Sequence, residues 1–301
     1  MNGQFLPEGL LIGTPDNKKI LSSLPLIEKA MEQKTILEAK AYLCDDSYRL
    51  IFEAGAVCGI MEPEETAVVP EDQTVRDIAI ISRVGKPVSF IVERIDYSTE
   101  KPTAYFSRKK AQELCLEKYL DKLEEGDVID ARVTHFEPFG CFCDIGCGIV
   151  SLLSIDRISV SRISHPKDRF RLGEYIHAAV KGRDEIILGT KGRISLTHRE
   201  LLGTWSENAA NFNVGETVTG IVRSIENYGI FIELAPNLAG LAEYKEDVEI
   251  GQSAAVYIKS IIPAKKKIKL VLIDTYFEEN ANIKKEYYIT SGNVKDFDYY
   301  V

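Results

Sequence analysis

The sequence lacks the short motifs that usually identify an enzyme. It has no Walker loop, no G-x-G-x-x-G after a predicted strand, no H-E-x-x-H and no G-x-S-x-G. Its acidic residues are spread rather than paired, and no histidine accompanies a cysteine or serine in a recognisable nucleophile arrangement. The four histidines are His135, His165, His177 and His198. The sequence therefore predicts a protein that is not an enzyme and needs no cofactor.

Long apolar runs are also missing. The longest, such as residues 78–81 and 256–262, are broken by Ser, Lys or Arg far short of the roughly 20 residues that cross a bilayer. The N-terminus has no basic segment followed by an apolar one, so no export signal is predicted. We therefore expect a cytoplasmic protein with no membrane partner.

Cysteine is too scarce for a disulfide framework, since the chain has six cysteines in 301 residues, and they are expected to be reduced. Cys141, Cys143 and Cys147 lie close together in the sequence. They are either metal ligands or small apolar fillers on one strand. Structural zinc normally uses four ligands in paired, turn-borne spacings, so we expect fillers and no metal.

The net charge of −9 argues at first sight against a nucleic-acid partner, but the charge is unevenly spread. Residues 157–199 hold ten Lys and Arg against four Asp and Glu, a local balance of +6. A phosphate responds to charges within about 10 Å at moderate salt, rather than to the sum over the chain. The acidic total therefore does not exclude RNA.

Internal repetition is the most informative feature of the sequence. Residues 126–133 and 139–145 read as strand, short turn and strand, and residues 215–222 and 228–234 repeat that pattern. Both copies continue in step to a final alternating segment, at residues 192–197 and 267–272. Five short strands with glycine-bearing turns in about 70 residues predict a small Greek-key barrel of the oligonucleotide-binding (OB) type.

An earlier and weaker copy covers residues 34–112. It lacks the aromatic-Gly-x-Phe element of the other two copies and has Cys44-Asp45-Asp46-Ser47-Tyr48 in its place. We expect this copy to keep the barrel and to lose the ligand-binding face. Helical spacing of apolar residues predicts helices over residues 110–124 and 198–211, between the copies.

The predicted fold class is all-β, with tandem five-stranded OB-fold barrels joined by short helices. The predicted parts are an N-terminal extension (1–33), a degenerate barrel (34–112), a helical linker (113–124), an RNA-binding barrel (125–199), a second helical linker (200–213), another RNA-binding barrel (214–275) and an aromatic-rich tail (276–301). The extension is expected to be peripheral. The tail is expected to be either a docking segment or a cover for the last barrel, and its aromatics are Tyr276, Phe277, Tyr287, Tyr288, Phe297, Tyr299 and Tyr300.

Two pairs of aromatic residues are candidates for base stacking. Phe139 and Phe142 lie on either side of a glycine, and Tyr228 and Phe231 repeat the arrangement. A turn or bulge at the glycine would let both rings reach the outer face, where bases stack on aromatics. One or both rings belonging to the core is the alternative, which the recurrence of the pair disfavours.

Basic residues near the last strand of each copy are candidates for phosphate contact. Arg193 opens that strand in the second copy, and Lys267 stands at the matching position in the third. A charge that simply faces solvent is the alternative for each of them. The same alternative holds for the nearby Arg183, Lys191 and Arg199.

These residues give the chain a resemblance to a known family. Residues 127–197 and 217–272 resemble the RNA-binding repeat of small-subunit ribosomal protein S-one. The whole chain, including Gly203-Thr204-Trp205, is similar to the short three-repeat form of low-GC Gram-positive bacteria. The resemblance implies RNA contact by both aromatic pairs, by Arg193 and by Lys267.

A histidine that the family associates with RNA contact is absent from all three copies. Ser154, Glu243 and Glu62 stand at its position. The resemblance therefore implies weaker binding by the third copy and almost none by the first. The function it implies is binding of single-stranded, weakly selected RNA, in particular mRNA at the small ribosomal subunit, to assist translation. A protein-interaction or regulatory adaptor, or an RNA-gripping accessory of a ribonuclease complex, are the alternatives.

Overall fold

The chain folds into three closed β-barrels of five strands each. A computed structural model describes residues 4–70, 72–183, 192–278 and 283–295. Within these residues the strands form the barrels in succession along the chain, with short helices between them. The predicted fold class is therefore confirmed. The chain divides into two compact units: Met1–Leu123 with Asp130–Arg132 and Asp144–Val150, and Glu124–Ile129 with Val133–Cys143 and Ser151–Val301.

The first barrel lies entirely in the first unit. Its strands are β1 (Leu37–Cys44), β2 (Leu50–Ala54), β3 (Val57–Met61), β4 (Pro87–Asp96) and β5 (Thr103–Ser107), in the order β1-β2-β3-β5-β4. Alternation along the strands turns every second side chain inward. The core is built on three rings, with Phe90 and Phe106 stacked at 3.8 Å between centroids and Phe52 within 5.8 Å of both.

The N-terminal segment is part of the first unit's core, contrary to the expected peripheral extension. It forms α1 (Pro15–Leu21) and α2 (Leu24–Glu32). Ile27 and Ala30 of α2 are buried in the core of the first barrel. The Asn17 side chain exchanges two hydrogen bonds with the backbone of Glu38 on β1. Hydrophobic spacing over one short helix did not reveal which surface the helix would cover.

A buried ionic cluster also fixes this segment. The Arg108 guanidinium donates to the Glu8 carboxylate at 2.6 Å, and the Glu8 backbone N–H donates to the Asp144 carboxylate at 2.7 Å. Burial raises the pKa of Asp144 to about 7, and the Glu8 charge adds to the rise. Burial also opposes ionisation of Glu8, but the charge and hydrogen bonds of Arg108 outweigh it and hold its pKa below the usual value.

The second and third barrels repeat one strand order. The strands of the second are β6 (Val128–Glu137), β7 (Gly140–Asp144), β8 (Val150–Ser154), β9 (Tyr175–Arg183) and β10 (Ile194–Thr197). Those of the third are β11 (Thr217–Glu226), β12 (Gly229–Ala235), β13 (Leu238–Ala242), β14 (Ser253–Ile262) and β15 (Lys267–Tyr276). In both barrels the last strand pairs parallel with the third and antiparallel with the fourth, which closes the sheet.

Among the described residues three α-helices lie outside the N-terminal segment, and two of them overlap the helical stretches expected from the sequence. α3 (Asp77–Ile81) precedes β4, and α4 (Arg108–Lys118) follows β5. The expected helix over residues 198–211 is reduced to a 3₁₀ turn, Arg199–Leu202, and α5 (Trp205–Ala209). Gly203 separates the two because its φ of +79° breaks the helical path, and Thr204 then caps α5 through a capping box with Glu207.

A fully buried ion pair joins the second barrel to the third within the second unit. Arg169, from the connection between β8 and β9, donates to the Glu233 carboxylate on β12. Both side chains have no exposed surface. Arg223 on β11 donates to the other carboxylate oxygen at 2.6 Å. The Asn237 amide adds neutral hydrogen bonds to the same junction, donating to the carbonyls of Arg199 and Gly203.

The described part of the tail, residues 283–295, packs on the second barrel rather than forming only a cover for the last one. Tyr287 donates its hydroxyl to Nε2 of buried His198 at 3.0 Å, and His198 donates through Nδ1 to the Ile158 carbonyl at 2.7 Å. The Val128 N–H at the start of β6 donates to the Gly292 carbonyl. Lys191, Phe297, Tyr299 and Tyr300 lie outside the described residues.

The three clustered cysteines are all buried. The sulfur atoms of Cys141 and Cys143 lie 3.9 Å apart on β7. The Cys147 thiol is hydrogen-bonded to the Cys115 thiol, and this contact together with burial raises the pKa of Cys147. Among the described residues no group of three or more His, Cys, Asp or Glu side chains is arranged to hold a metal ion. No helix in the described ranges is long and apolar enough to cross a membrane.

We predict that Glu233→Gln strongly destabilises the second unit. The change leaves the Arg169 charge buried without its counter-charge, which costs about 3–5 kcal/mol of unfolding free energy. Urea unfolding of the full chain measures the loss. Glu53→Gln is the matched control, because Glu53 holds the same place in the first barrel and is exposed. Equal unfolding midpoints for the two variants would contradict the assignment.

We also predict that His198 makes folding sensitive to acid. Burial lowers the pKa of His198 to about 3, so the ring takes up a proton near its usual pKa only in the unfolded chain. Its contribution is complete above pH about 6.5 and is lost progressively towards pH 3, by about 2 kcal/mol between pH 6.5 and 5. His198→Asn keeps a donor for Ile158 but does not titrate. The unfolding free energy of this variant should fall less steeply with decreasing pH than that of the unmodified chain. Parallel pH profiles would show that His198 is not the source of the acid sensitivity.

Candidate nucleic-acid interface

The first aromatic pair lies at the hairpin end between β6 and β7. Phe139 occupies the short turn and has 55% of its surface exposed, and Phe142 on β7 is partly buried. Their rings are perpendicular, with centroids 6.3 Å apart. The inward positions on either side of Phe142 are taken by Cys141 and Cys143. Both rings therefore lie outside the barrel core and offer a surface to a flat ligand.

The second pair repeats this geometry at the hairpin end between β11 and β12. Tyr228 is 69% exposed and Phe231 is partly buried. Their rings are again perpendicular, with centroids 6.1 Å apart. Neither pair fills the barrel core, which was the alternative to an outward position. The same surface feature is thus present at the same place in two successive barrels.

The glycine within each pair allows two strands to approach closely. A Cβ on Gly140 would lie 2.4 Å from the carbonyl oxygen of Leu153, and one on Gly229 would lie 2.4 Å from that of Ala242. Only glycine fits at such a distance. The first ring of each pair belongs to the turn before the glycine, so strand alternation does not constrain it. This explains why two rings at an odd spacing reach one face.

The third barrel contains a β-bulge on the strand that faces Phe231, whereas at the glycine itself the chain forms the turn, one of the two expected alternatives. The register of β11 against β12 shifts between Val222 and Ser224, so Arg223 is the extra residue. Ser224 pairs with Phe231 beyond the shift. The bulge increases the local twist of the hairpin and re-aims the side chains that follow it.

His135 lies beside the first aromatic pair and was not predicted from the sequence. Its exposed ring lies nearly parallel to Phe142, with centroids 6.4 Å apart, and its Nε2 is 2.9 Å from the Glu137 carboxylate. It occupies on β6 the place that Ser224 has on β11. In the sequence His135 has no recognisable nucleophile partner and does not occupy the place of the family's histidine, which Ser154 holds. Strand alternation is the signal that could have placed it. His135 lies two residues before Glu137 on β6, so both side chains are on the same face of the strand.

The predicted basic residues are exposed in both barrels. Arg193 directly precedes β10, and Lys267 is the first residue of β15. In the third barrel the register links Phe231 to Leu241 and Leu241 to Lys269, so Lys269 stands in the same cross-strand row as the ring. Lys267 and Lys269 are exposed while Ile268 between them is buried. Lys269 was not predicted, because the row follows from strand register rather than from sequence.

The first barrel keeps one of the two rings. Its register pairs Leu50 with Met61 and Ile51 with Ile60, as Ile230 pairs with Ala242 and Phe231 with Leu241. Tyr48 therefore stands at the place of Phe139 and Tyr228. Arg49 replaces the glycine and Ile51 replaces the second ring. The predicted loss of the aromatic pair is thus a loss of its second member.

Comparisons with known proteins find relatives among RNA-binding and ribosomal proteins. Residues 122–199 match the S1 RNA binding domain family. The chain is 30% identical over 212 residues to small ribosomal subunit protein bS1 of Staphylococcus epidermidis, covering 65% of this chain and 52% of that protein. It is 28% identical over 218 residues to the bS1 homolog of Bacillus cereus, covering 67% and 55%. The chain spans about half the length of the curated relatives it matches.

Among solved structures, the chain is similar to a multidomain protein with nucleic acid binding domains from Streptococcus pneumoniae. The identity is 15% and the TM-score 0.26, and the match covers 82% of this chain and 75% of that one. The domain match and the curated relatives support the resemblance to ribosomal protein S-one, and residues 122–199 coincide with the second barrel.

Proposed function

We propose that this chain is a non-catalytic protein that binds single-stranded RNA through the outer faces of its second and third barrels. The observation that carries the proposal is the pair of perpendicular, outward rings, Phe139 with Phe142 and Tyr228 with Phe231, at the same hairpin end of two barrels. The match of residues 122–199 to the S1 RNA binding domain family supports it independently.

Binding proceeds by stacking of bases on the rings, with phosphates held by exposed basic residues. Each stacked base contributes about 1–3 kcal/mol and does so for any base, so the preference for sequence is weak. Arg193 serves the second barrel, and Lys267 with Lys269 serves the third. His135 extends the stacking surface beside Phe142.

We further propose that the RNA is mRNA and that the protein assists translation in the cytoplasm, at the small ribosomal subunit. The support for this step is that curated relatives are small ribosomal subunit proteins. Stacking of any base suits a protein that must hold many different messages.

We predict that Phe139→Ala with Phe142→Ala weakens binding of a short unstructured RNA about tenfold or more, because two stacking surfaces are lost. The melting temperature should change little, since both rings lie outside the barrel core and support few core contacts. Fluorescence anisotropy and a thermal melt of the same full-length protein measure both quantities.

Phe277→Ala is the matched control, because Phe277 is an exposed ring with 70% of its surface accessible and lies outside both pairs. It should leave affinity unchanged. A double variant that melts much earlier and keeps its RNA affinity would show that the rings support the fold and that the RNA lies elsewhere.

The translational role is tested by sedimentation. Cell extract run through a sucrose gradient should carry the unmodified chain with the small ribosomal subunits. The Phe139→Ala, Phe142→Ala variant should move towards the top of the gradient, because RNA contact contributes to the association. Sedimentation of the unmodified chain with degradation complexes, or with neither, would exclude the role at the ribosome.

A further inference from the structure

The first barrel carries an exposed apolar surface that the RNA-binding proposal does not use. We name it the Tyr48 face. Its members are all large, apolar and exposed, from 39% for Tyr48 to 70% for Ile78, and they are Tyr42, Leu43, Tyr48, Ile78 and Ile81. An exposed cluster of this kind, as opposed to scattered single residues, usually marks a site of interaction.

The two segments that supply the face lie side by side. The Gly85 N–H donates to the Ala41 carbonyl at 2.7 Å, which joins the chain after α3 to the end of β1. The Tyr48 hydroxyl bonds to the Asp77 carboxylate at the start of α3, and this bond raises the pKa of the phenol. Ile78 and Ile81 are three residues apart on α3 and therefore share one side of the helix.

Tyr48 is held in an unusual conformation within this face. Its φ of +59° lies in the left-handed region, which a bulky residue rarely adopts. The turn is fixed by Asp45, whose carboxylate accepts the backbone N–H groups of Ser47 and Arg49 and pairs with the Arg49 guanidinium at 2.8 Å. Backbone strain that the surroundings maintain tends to occur at ligand contacts.

The sequence that supplies the face and its flanks is acidic overall. Residues 40–86 contain nine acidic and five basic side chains, and the basic ones include the exposed Lys40 and Lys86 beside the end of β1. Among the acidic ones are Asp46 in the turn, Asp77 on α3, and Glu62 and Glu64 after β3. Such a rim repels phosphates and attracts Lys and Arg. Residues 157–199 are basic, so RNA is expected to bind there rather than at this acidic face.

We propose that the Tyr48 face docks a basic, apolar segment of a partner protein. Aromatic and aliphatic side chains at the centre with charges at the edge match the anatomy of protein–protein contacts. The apolar centre supplies affinity, and the acidic rim selects a positively charged partner. This interaction is separate from RNA binding and does not depend on it.

The first test uses a fluorescent peptide of about a dozen residues that alternates Lys or Arg with Leu or Phe, and a second peptide with Glu at every basic position. Anisotropy with the full-length protein should reveal binding of the basic peptide only. Ile78→Ser with Ile81→Ser should weaken it about tenfold, since central apolar contacts dominate such interfaces. These changes alter no charge, so a general attraction of the acidic protein for the peptide stays constant.

Ile250→Ser is the matched control, because Ile250 is also exposed, at 55%, and lies in the second unit. It should leave peptide affinity unchanged, as should Phe139→Ala with Phe142→Ala. Equal weakening by Ile250→Ser, or no weakening by the double Ile variant, would overturn the proposal.

Hydrogen exchange on the full chain shows where the basic peptide binds. The basic peptide should slow exchange over residues 42–48 and 77–81, and an oligouridine RNA should not. Protection of these residues by the RNA would assign the face to nucleic acid, and protection by the peptide elsewhere would move the docking site. Either result would overturn the proposal.

Discussion

The buried pair of Arg169 and Glu233 is the constraint on which the second unit depends. Both groups lose all contact with water, and neither tolerates that loss alone. Because Arg169 comes from the second barrel and Glu233 from the third, the two barrels are held in one arrangement by a contact whose halves require each other. If both exposed ring pairs bind one RNA strand, as proposed, a fixed spacing lowers the entropy lost when the second pair binds.

The acid that makes this pair occupies a recurrent place in the barrel. Glu233 lies two residues after Phe231, and Asp144 lies two residues after Phe142. Both are buried and hydrogen-bonded, whereas Glu53 at the matching place in the first barrel is exposed. In each of the two barrels the outward ring is followed, two residues on and on the same face of the strand, by an acid that is buried beneath a neighbouring segment. The same strand therefore carries both the candidate stacking ring and the acid that holds a neighbouring segment in place.

Local sequence features predicted much of the fold and of the candidate site. Glycine-bearing turns and strand alternation repeat in register, so the barrels and the two ring pairs followed from the pattern. His135 and Lys269 did not, because their relation to the rings arises from pairing between strands. The break at Gly203 was hidden within a helical spacing, and the contacts of Glu8 and Tyr287 join residues far apart in the chain, for which no local period exists.

The contact between Tyr287 and His198 has a consequence for biosynthesis. The two residues are 89 positions apart, and the tyrosine is made after the third barrel. At roughly 5 to 20 residues per second, the second barrel leaves the ribosome roughly 5 to 20 s before the hydroxyl that completes the hydrogen bonding of His198. During that interval Nε2 of the imidazole lacks the Tyr287 hydroxyl as its hydrogen-bond partner. The nascent second barrel is therefore a weaker structure than the finished one, and its last reinforcement arrives only after the third barrel has been synthesised.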